Sequence, residues 1–159
     1  MVERRAARVL LLAHDTVLLI RGVDPSHPER GTWWHTPGGG IDDGERVEDA
    51  AVREVLEETG HVVGIDALGP VIATRTATFD FEDVEYRQHE SFFAIHVPRF
   101  EPSASRWDEI EQRSLLEYRW WTPDELTATD DAYFPAELAD VARAALTGPI
   151  PEPIVLSGA

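Results

Sequence analysis

Hydrophobic residues recur along this chain mostly at strand-like spacing. Residues 8–13 and 16–21 are Val- and Leu-rich runs separated by His14 and Asp15, a pattern that predicts a hairpin. Residues 32–36 contain adjacent tryptophans, Trp33 and Trp34, and predict a short strand feeding Pro37 and three glycines. Strand alternation turns these two indoles to opposite faces. Residues 71–81 alternate in part and are rich in Thr, Glu82 and Asp83 make a turn, and residues 84–97 complete a second, longer antiparallel hairpin. Residues 115–121 are the last long strand.

The rhythm changes to helical in the stretch 38–61, GGGIDDGERVEDAAVREVLEETGH. It opens on glycines, where the backbone can approach a ligand because no Cβ intervenes. The helix ends at Gly60. At about 100° per residue, Glu54, Glu57 and Glu58 share one side, and Val52, Val55, Leu56 and Thr59 the other. Further on, Thr122 with Glu125 three residues later is a capping box that starts a short helix at Pro123. Residues 135–146 are an Ala-rich amphipathic helix. Residues 22–31, with Pro25 and Pro28, and residues 100–113, with Pro102 and several acids, read as loops, the second ending in a short helical turn. From Gly148 onward, Pro149, Pro151 and Pro153 mark residues 148–159 as a Pro-rich tail, loosely packed on or disordered beside a domain spanning 1–147.

Composition narrows the class. A chain of 159 residues with 43% hydrophobic positions fits one globular domain with a sizeable core. The apolar run near the N-terminus is too short for a signal peptide or a membrane span, so no membrane partner is expected. There is no cysteine, which excludes disulfides and thiolate metal sites and suits the cytoplasm expected as its location. The formal charge of −16 argues against a nucleic-acid polymer as partner, since nothing offsets the phosphates. An anionic small substrate would need a cation and local arginines to approach.

The helical acids are the candidate chemistry. Glu54 and Glu58 repel at i,i+4, and anions near a helix C-terminus oppose the macrodipole by about 0.3–1 kcal/mol. A cluster placed against both effects points to a positive partner, and hard oxygen ligands suit Mg²⁺ or Mn²⁺. A solvated acidic face is the bland alternative.

Spacing decides between them. Gly39, then Glu45 after five residues, Arg53 after seven more, and Glu54, Val55, Leu56, Glu57, Glu58, Thr59 and Gly60 in succession resemble the signature of the Nudix hydrolases. The match departs at His61, where the family has an aliphatic residue; Val62 and Val63 follow. The likeness extends from about Arg4 to Leu126, including the run RWWTPDEL.

The resemblance implies an α/β/α sandwich with a mixed β-sheet. It also implies divalent-metal-dependent hydrolysis of the diphosphate linkage in a nucleoside diphosphate derivative or nucleoside triphosphate. Metal ligands would be Glu54, Glu57 and Glu58 with the carbonyl of Gly39, and Glu45 and Arg53 would brace the loop, with Gly60 closing the box. For the proton acceptor, Glu54 and Glu57 rank first and Glu111, from the loop before the last strand, second, with Glu109 as its understudy. The long hairpin forms a cleft wall in the family, so Arg75 and Arg87 are candidate phosphate or carboxylate contacts. Trp34 reads as core under the loop first and as a substrate-stacking platform second. His35, without a partner at ligand spacing, reads as structural or surface. Markers of ADP-ribose and dinucleoside polyphosphate enzymes are missing between Arg75 and Phe79, leaving a nucleoside triphosphate or small nucleotide derivative. A non-catalytic nucleotide-binding module normally lacks box acids, all of which are present. A diphosphate isomerase of this fold would use a cysteine, and there is none. Relatives occur both as monomers and as dimers, so a homodimer stays open.

Overall fold

A computed structural model describes residues 1–158 of the chain. In chain order the strands are β1 (Val2–Ala13), β2 (Thr16–Val23), β3 (Thr32–His35), β4 (Gly38–Gly40), β5 (Ala73–Phe81), β6 (Val84–His96), β7 (Leu115–Trp121) and β8 (Ile154–Val155). The helices are α1 (Val47–Thr59), α2 (Glu109–Ser114), α3 (Pro123–Ala128) and α4 (Leu138–Thr147). All eight strands form one mixed sheet with the order β3-β2-β1-β6-β5-β8, β4 added to β1 and β7 to β2. This is the expected α/β architecture.

The apolar run in β1 is continuous because both faces of the strand are covered. Leu10 and Leu12 enter one core with Trp34, Trp121, Leu138 and Val141, under α3 and α4. Val9 and Leu11 enter the other with Ala51, Val55 and Phe93, under α1. Each such leucine is fully buried, which stabilises the fold by about 1.5–3 kcal/mol per side chain.

The expected first strand begins at residue 8, but β1 starts at Val2. The additional residues pair in parallel with β6, from Val2 opposite Tyr86 to Leu12 opposite His96. That partner is over eighty residues away, so no local signal announces it. The turn at Glu82 and Asp83 has φ of 48° and 63°, the left-handed pair that matches strand twist in a tight hairpin. The short helical turn expected near residue 113 is α2, started by a capping box of Asp108 and Glu111. The tail is not loose throughout. Ile154 and Val155 pair with β5, and Leu156 is buried in the core. No helix among the described residues is long and apolar enough to cross a membrane.

Candidate active site

The glycine turn is wedged between β1 and α1. Gly38 has φ of 149°, and a Cβ there would stand 2.1 Å from the Ala7 carbonyl oxygen, so the position admits only glycine. Its N–H donates to Glu58 Oε1 at 2.9 Å. Gly39 packs directly on the carboxylate of Glu54. The close approach anticipated from three glycines is therefore a contact with the acidic helix.

Helix α1 stops at Gly60, whose φ of 76° is the left-handed cap and whose N–H donates to the Leu56 carbonyl. The carbonyl of Glu58, near that end, accepts from Trp107 Nε1 at 2.9 Å and from the Tyr118 hydroxyl. These bonds lock the last turn, where the acids sit.

Two of the three acids on the helix face are withdrawn from solvent. Glu54 and Glu58 are 8% and 2% exposed, and with Glu111 they bring carboxylate oxygens within 4.8 Å of one another. Burial, reinforced by the Glu54 charge, pushes the Glu58 carboxyl well above its ordinary range. Burial also raises Glu54, against the pull of Arg53. Glu111 is pushed up to about 7, by burial first and by the charges of Asp108, Glu54 and Glu57. Three carboxyls that raise one another's proton affinity form an all-oxygen donor set, the chemistry a hard divalent cation satisfies. Glu57 stands apart from this trio, with its side chain 37% exposed and 3.4 Å from Arg53 Nη1.

Arg53 organises the loop as expected. Its Nε and Nη2 donate to the two oxygens of Glu45 at 2.9 and 2.8 Å, Nη2 also reaches the Gly40 carbonyl, and Nη1 reaches Glu54 Oε1 at 2.9 Å. These hydrogen bonds hold Glu45 down at about 2. The planar fork ties loop, strand and helix to one cation.

From this corner a cleft of about 750 Å³ opens across the sheet, lined by Arg8, His35, Arg75, Gln88, Glu90 and Phe134 among others. Glu90 is 4% exposed and accepts from Arg8 Nε at 2.8 Å and Arg75 Nη1 at 2.6 Å. Arg4 Nε donates to Gln88, which donates on to Glu90. In a chain of net charge −16, the floor of the cleft is thus cationic, which favours anions locally. Burial and the Arg8 charge push the His35 imidazole down to about 4, so it is neutral at physiological pH.

Two expected substrate contacts lie elsewhere. Arg87 is exposed and pairs with Glu3 at 3.6 Å; its neighbours Gln88 and Glu90 line the cleft, so strand phase turns Arg87 to the opposite face. Trp34 is 3% exposed, stacks edge-on against Trp121 at 5.2 Å and donates to Asp131, which makes it core. Trp33, the indole on the other face, lines the cleft instead. Arg75 does line it, as does His35, for which the sequence alone suggests a structural or surface role. Arg4, Arg8 and Gln88 are not among the candidates that the sequence names, and Glu90, a polar position whose strand pattern predicts a solvated sheet face, is buried instead. Only the parallel β1–β6 register brings them together, and that register has no signature in the sequence.

The NUDIX domain family matches residues 2–141. Nucleoside triphosphatase NudI of Escherichia coli O17:K52:H18 is 30% identical over 112 residues, 69% of this chain and 72% of that protein. The RNA pyrophosphohydrolase of Novosphingobium aromaticivorans is 30% identical over 105 residues, 60% of this chain and 64% of the relative. Other curated relatives match over 32% and 23% of their own length, so for several of them this chain spans well under two thirds. Among solved structures, the MutT protein from Methanosarcina mazei Go1 superposes with a TM-score of 0.64 at 19% identity, over 90% of this chain and 92% of that one; at that identity the likeness speaks for the fold. With the signature glycine, the Arg53 brace and the buried glutamates in place, and with the family matching most of its length, the chain belongs to the NUDIX domain family.

Proposed function

We propose that this protein is a hydrolase of phosphoanhydrides that cleaves the diphosphate linkage of a nucleoside triphosphate or a nucleoside diphosphate derivative. The observation that carries this reading is the convergence of Glu54, Glu58 and Glu111 beside the glycine turn, in the lining of a cleft with a cationic floor. Names of similar proteins, a nucleoside triphosphatase and an RNA pyrophosphohydrolase, support the substrate class.

Glu54, Glu57 and Glu58, with the carbonyl of Gly39 and with Glu111, would hold Mg²⁺ or Mn²⁺. Such a cation supplies neutralisation of phosphate charge and a lower pKa for bound water. The remaining work falls to the chain itself. Arg53 and Glu45 fix the loop that carries Gly39. Arg8, anchored by Glu90, turns a positive field toward the phosphates and offsets the long-range repulsion of an acidic protein. As water attacks one phosphorus and the bridging P–O bond breaks, the water's proton passes to a carboxylate, Glu54 or Glu57 on the helix or Glu111 from α2. Burial of Glu54 and Glu111 keeps those two basic enough to accept it.

The test is phosphate and pyrophosphate release from a nucleotide panel, with Mg²⁺ and with chelator, for the parent and for Glu57→Gln. Activity should require the cation and should fall by about 100-fold or more in the variant. Equal turnover of the best substrate by both proteins sinks the ligand assignment, and a parent that only binds nucleotide makes the chain a non-catalytic module.

A further inference from the structure

Helix α2 brings Glu111 to the site with little packing to hold it there. It has six residues, too few for a helix to persist on its own ladder, and of these only Ser114 is buried. Arg113 reaches Glu82 at 3.4 Å, a pair at the surface that fixes little. Upstream, the Ser103 N–H donates to the Thr59 carbonyl at 2.9 Å. Beyond that point, among the described residues, the segment 104–114 makes a single hydrogen bond to α1 or to any strand before β7: Trp107 Nε1 donates to the Glu58 carbonyl at 2.9 Å. The Trp107 ring also leans on Tyr118, with centroids 5.7 Å apart.

From Trp107 the connection to Glu111 is short. The next residue, Asp108, is the N-cap of α2. Its Oδ1 accepts from the Glu111 N–H at 2.8 Å, and its own N–H donates to Glu111 Oε1 at 2.9 Å. A reciprocal box of this kind satisfies two backbone donors at a helix start. Here it also fixes the carboxylate that stands within 4.8 Å of those of Glu54 and Glu58. The Trp107 carbonyl in turn accepts from Gln112 Nε2 at 3.1 Å, a second tie between this residue and α2. Hydrogen bonds thus run from the backbone of one acid to the side chain of another, through the indole, the Asp108 N–H and Glu111 Oε1. The Glu58 carbonyl does not depend on Trp107, because it also accepts from the Tyr118 hydroxyl, and α1 keeps its Gly60 cap. Losing the indole donor therefore frees α2 more than α1.

Resting on the metal-binding part of the reading above, we infer that Trp107 and Asp108 are positioning residues for Glu111: the indole pins the start of α2 to α1, and the capping box aims the Glu111 carboxylate at Glu54 and Glu58. Together they complete, from a helix with almost no core of its own, the oxygen set that would hold a divalent cation.

Trp107→Phe keeps a ring and loses the donor. Mn²⁺ binding, read from the electron paramagnetic resonance signal of the free ion, should weaken by about 10-fold in this variant, as when a group that orients a metal ligand is removed. Glu111→Gln should weaken it too. In a Glu111→Gln background, Trp107→Phe should add less than about twofold, because residues that act through one group are not additive. The cap is tested by Asp108→Asn and Asp108→Ala. Both remove the charge, but only Asn can still accept from the Glu111 N–H, so Asn should bind Mn²⁺ about fivefold more tightly than Ala. Circular dichroism melting identifies a Trp107→Phe protein that fails to fold, in which case the Asp108 pair decides, with and without Glu111. A Trp107→Phe loss of equal size in both backgrounds overturns the inference and makes the indole a prop for α1. Parental Mn²⁺ binding in Trp107→Phe or Glu111→Gln, or equal binding by the two Asp108 variants, overturns it as well. If the parent binds Mn²⁺ in this order of variants but hydrolyses no nucleotide, the hydrolase reading falls and the inference stands. A parent that binds no Mn²⁺ overturns both.

Discussion

A side chain at Gly39 would occupy the space of the Glu54 carboxylate: a Cβ built there lies 2.6 Å from Oε1. The smallest residue and a buried acid are thus fitted to each other across the turn. Gly39→Ala should displace Glu54 and lower kcat/KM by about 100-fold, the cost of a misplaced charged group in a preorganised site. The fold should persist, because the three atoms nearest an added methyl all belong to the Glu54 carboxylate, the end of a side chain that can shift. Steady-state kinetics beside a thermal melt checks this, and wild-type kinetics in the variant would show that Glu54 has room to spare.

Glu58→Gln should separate stability from function. Gln can still accept the Gly38 N–H that Glu58 Oε1 accepts at 2.9 Å, while the buried charge, whose burial raises its proton affinity, is gone. In chelator the melting temperature should rise by about 2–4 °C, the equivalent of roughly 1 kcal/mol in a domain of this length. The further rise that Mg²⁺ gives the parent by binding the folded state should vanish. A variant that melts lower than the parent in chelator contradicts the account of the buried trio.

Arg53→Lys keeps the charge and loses the fork. Lysine cannot reach Glu45, the Gly40 carbonyl and Glu54 together, as the guanidinium does at 2.8–2.9 Å. We expect kcat/KM to fall by about 10- to 100-fold and stability by about 1 kcal/mol, since the side chain is only partly buried. Kinetics and urea unfolding of the variant measure both, and full activity would mean that the loop needs only a positive charge.

His35 predicts an acid-side loss of stability. Its folded pKa is pushed from 6.5 down to about 4. Between those values the unfolded chain binds a proton that the folded chain refuses, so stability is intact above about pH 6.5 and declines as pH falls toward 4. The contribution is at most about 3 kcal/mol, and smaller to the extent that the ring faces the open cleft. Urea unfolding at about pH 7 and pH 5 should show a shallower decline for His35→Gln than for the parent, and parallel declines would show that the imidazole charges freely in the fold.

What the sequence determined by itself was everything that local spacing can encode. The intervals from Gly39 to Gly60 placed a glycine turn, the Glu45–Arg53 brace, an acidic helix face and a cap next to one another, and the 2.0 and 3.6 periods separated strands from helices. Those relations are short-range, and helix geometry carries them into space unchanged. Tertiary structure decided the rest. Arg8, Arg75 and Glu90 meet because β6 pairs with β1 in parallel and with β5 in a hairpin, and a one-residue change of register would turn each to the other face. The same phase sent Arg87 and Trp34 away from the cleft and brought Trp33 and His35 to it. The edge of β5 supplied partners for a proline-rich tail that has no pairing signal of its own. Side-chain identity sets what a residue can do, but which residues share a cavity depends on hydrogen-bond register between strands far apart in the chain.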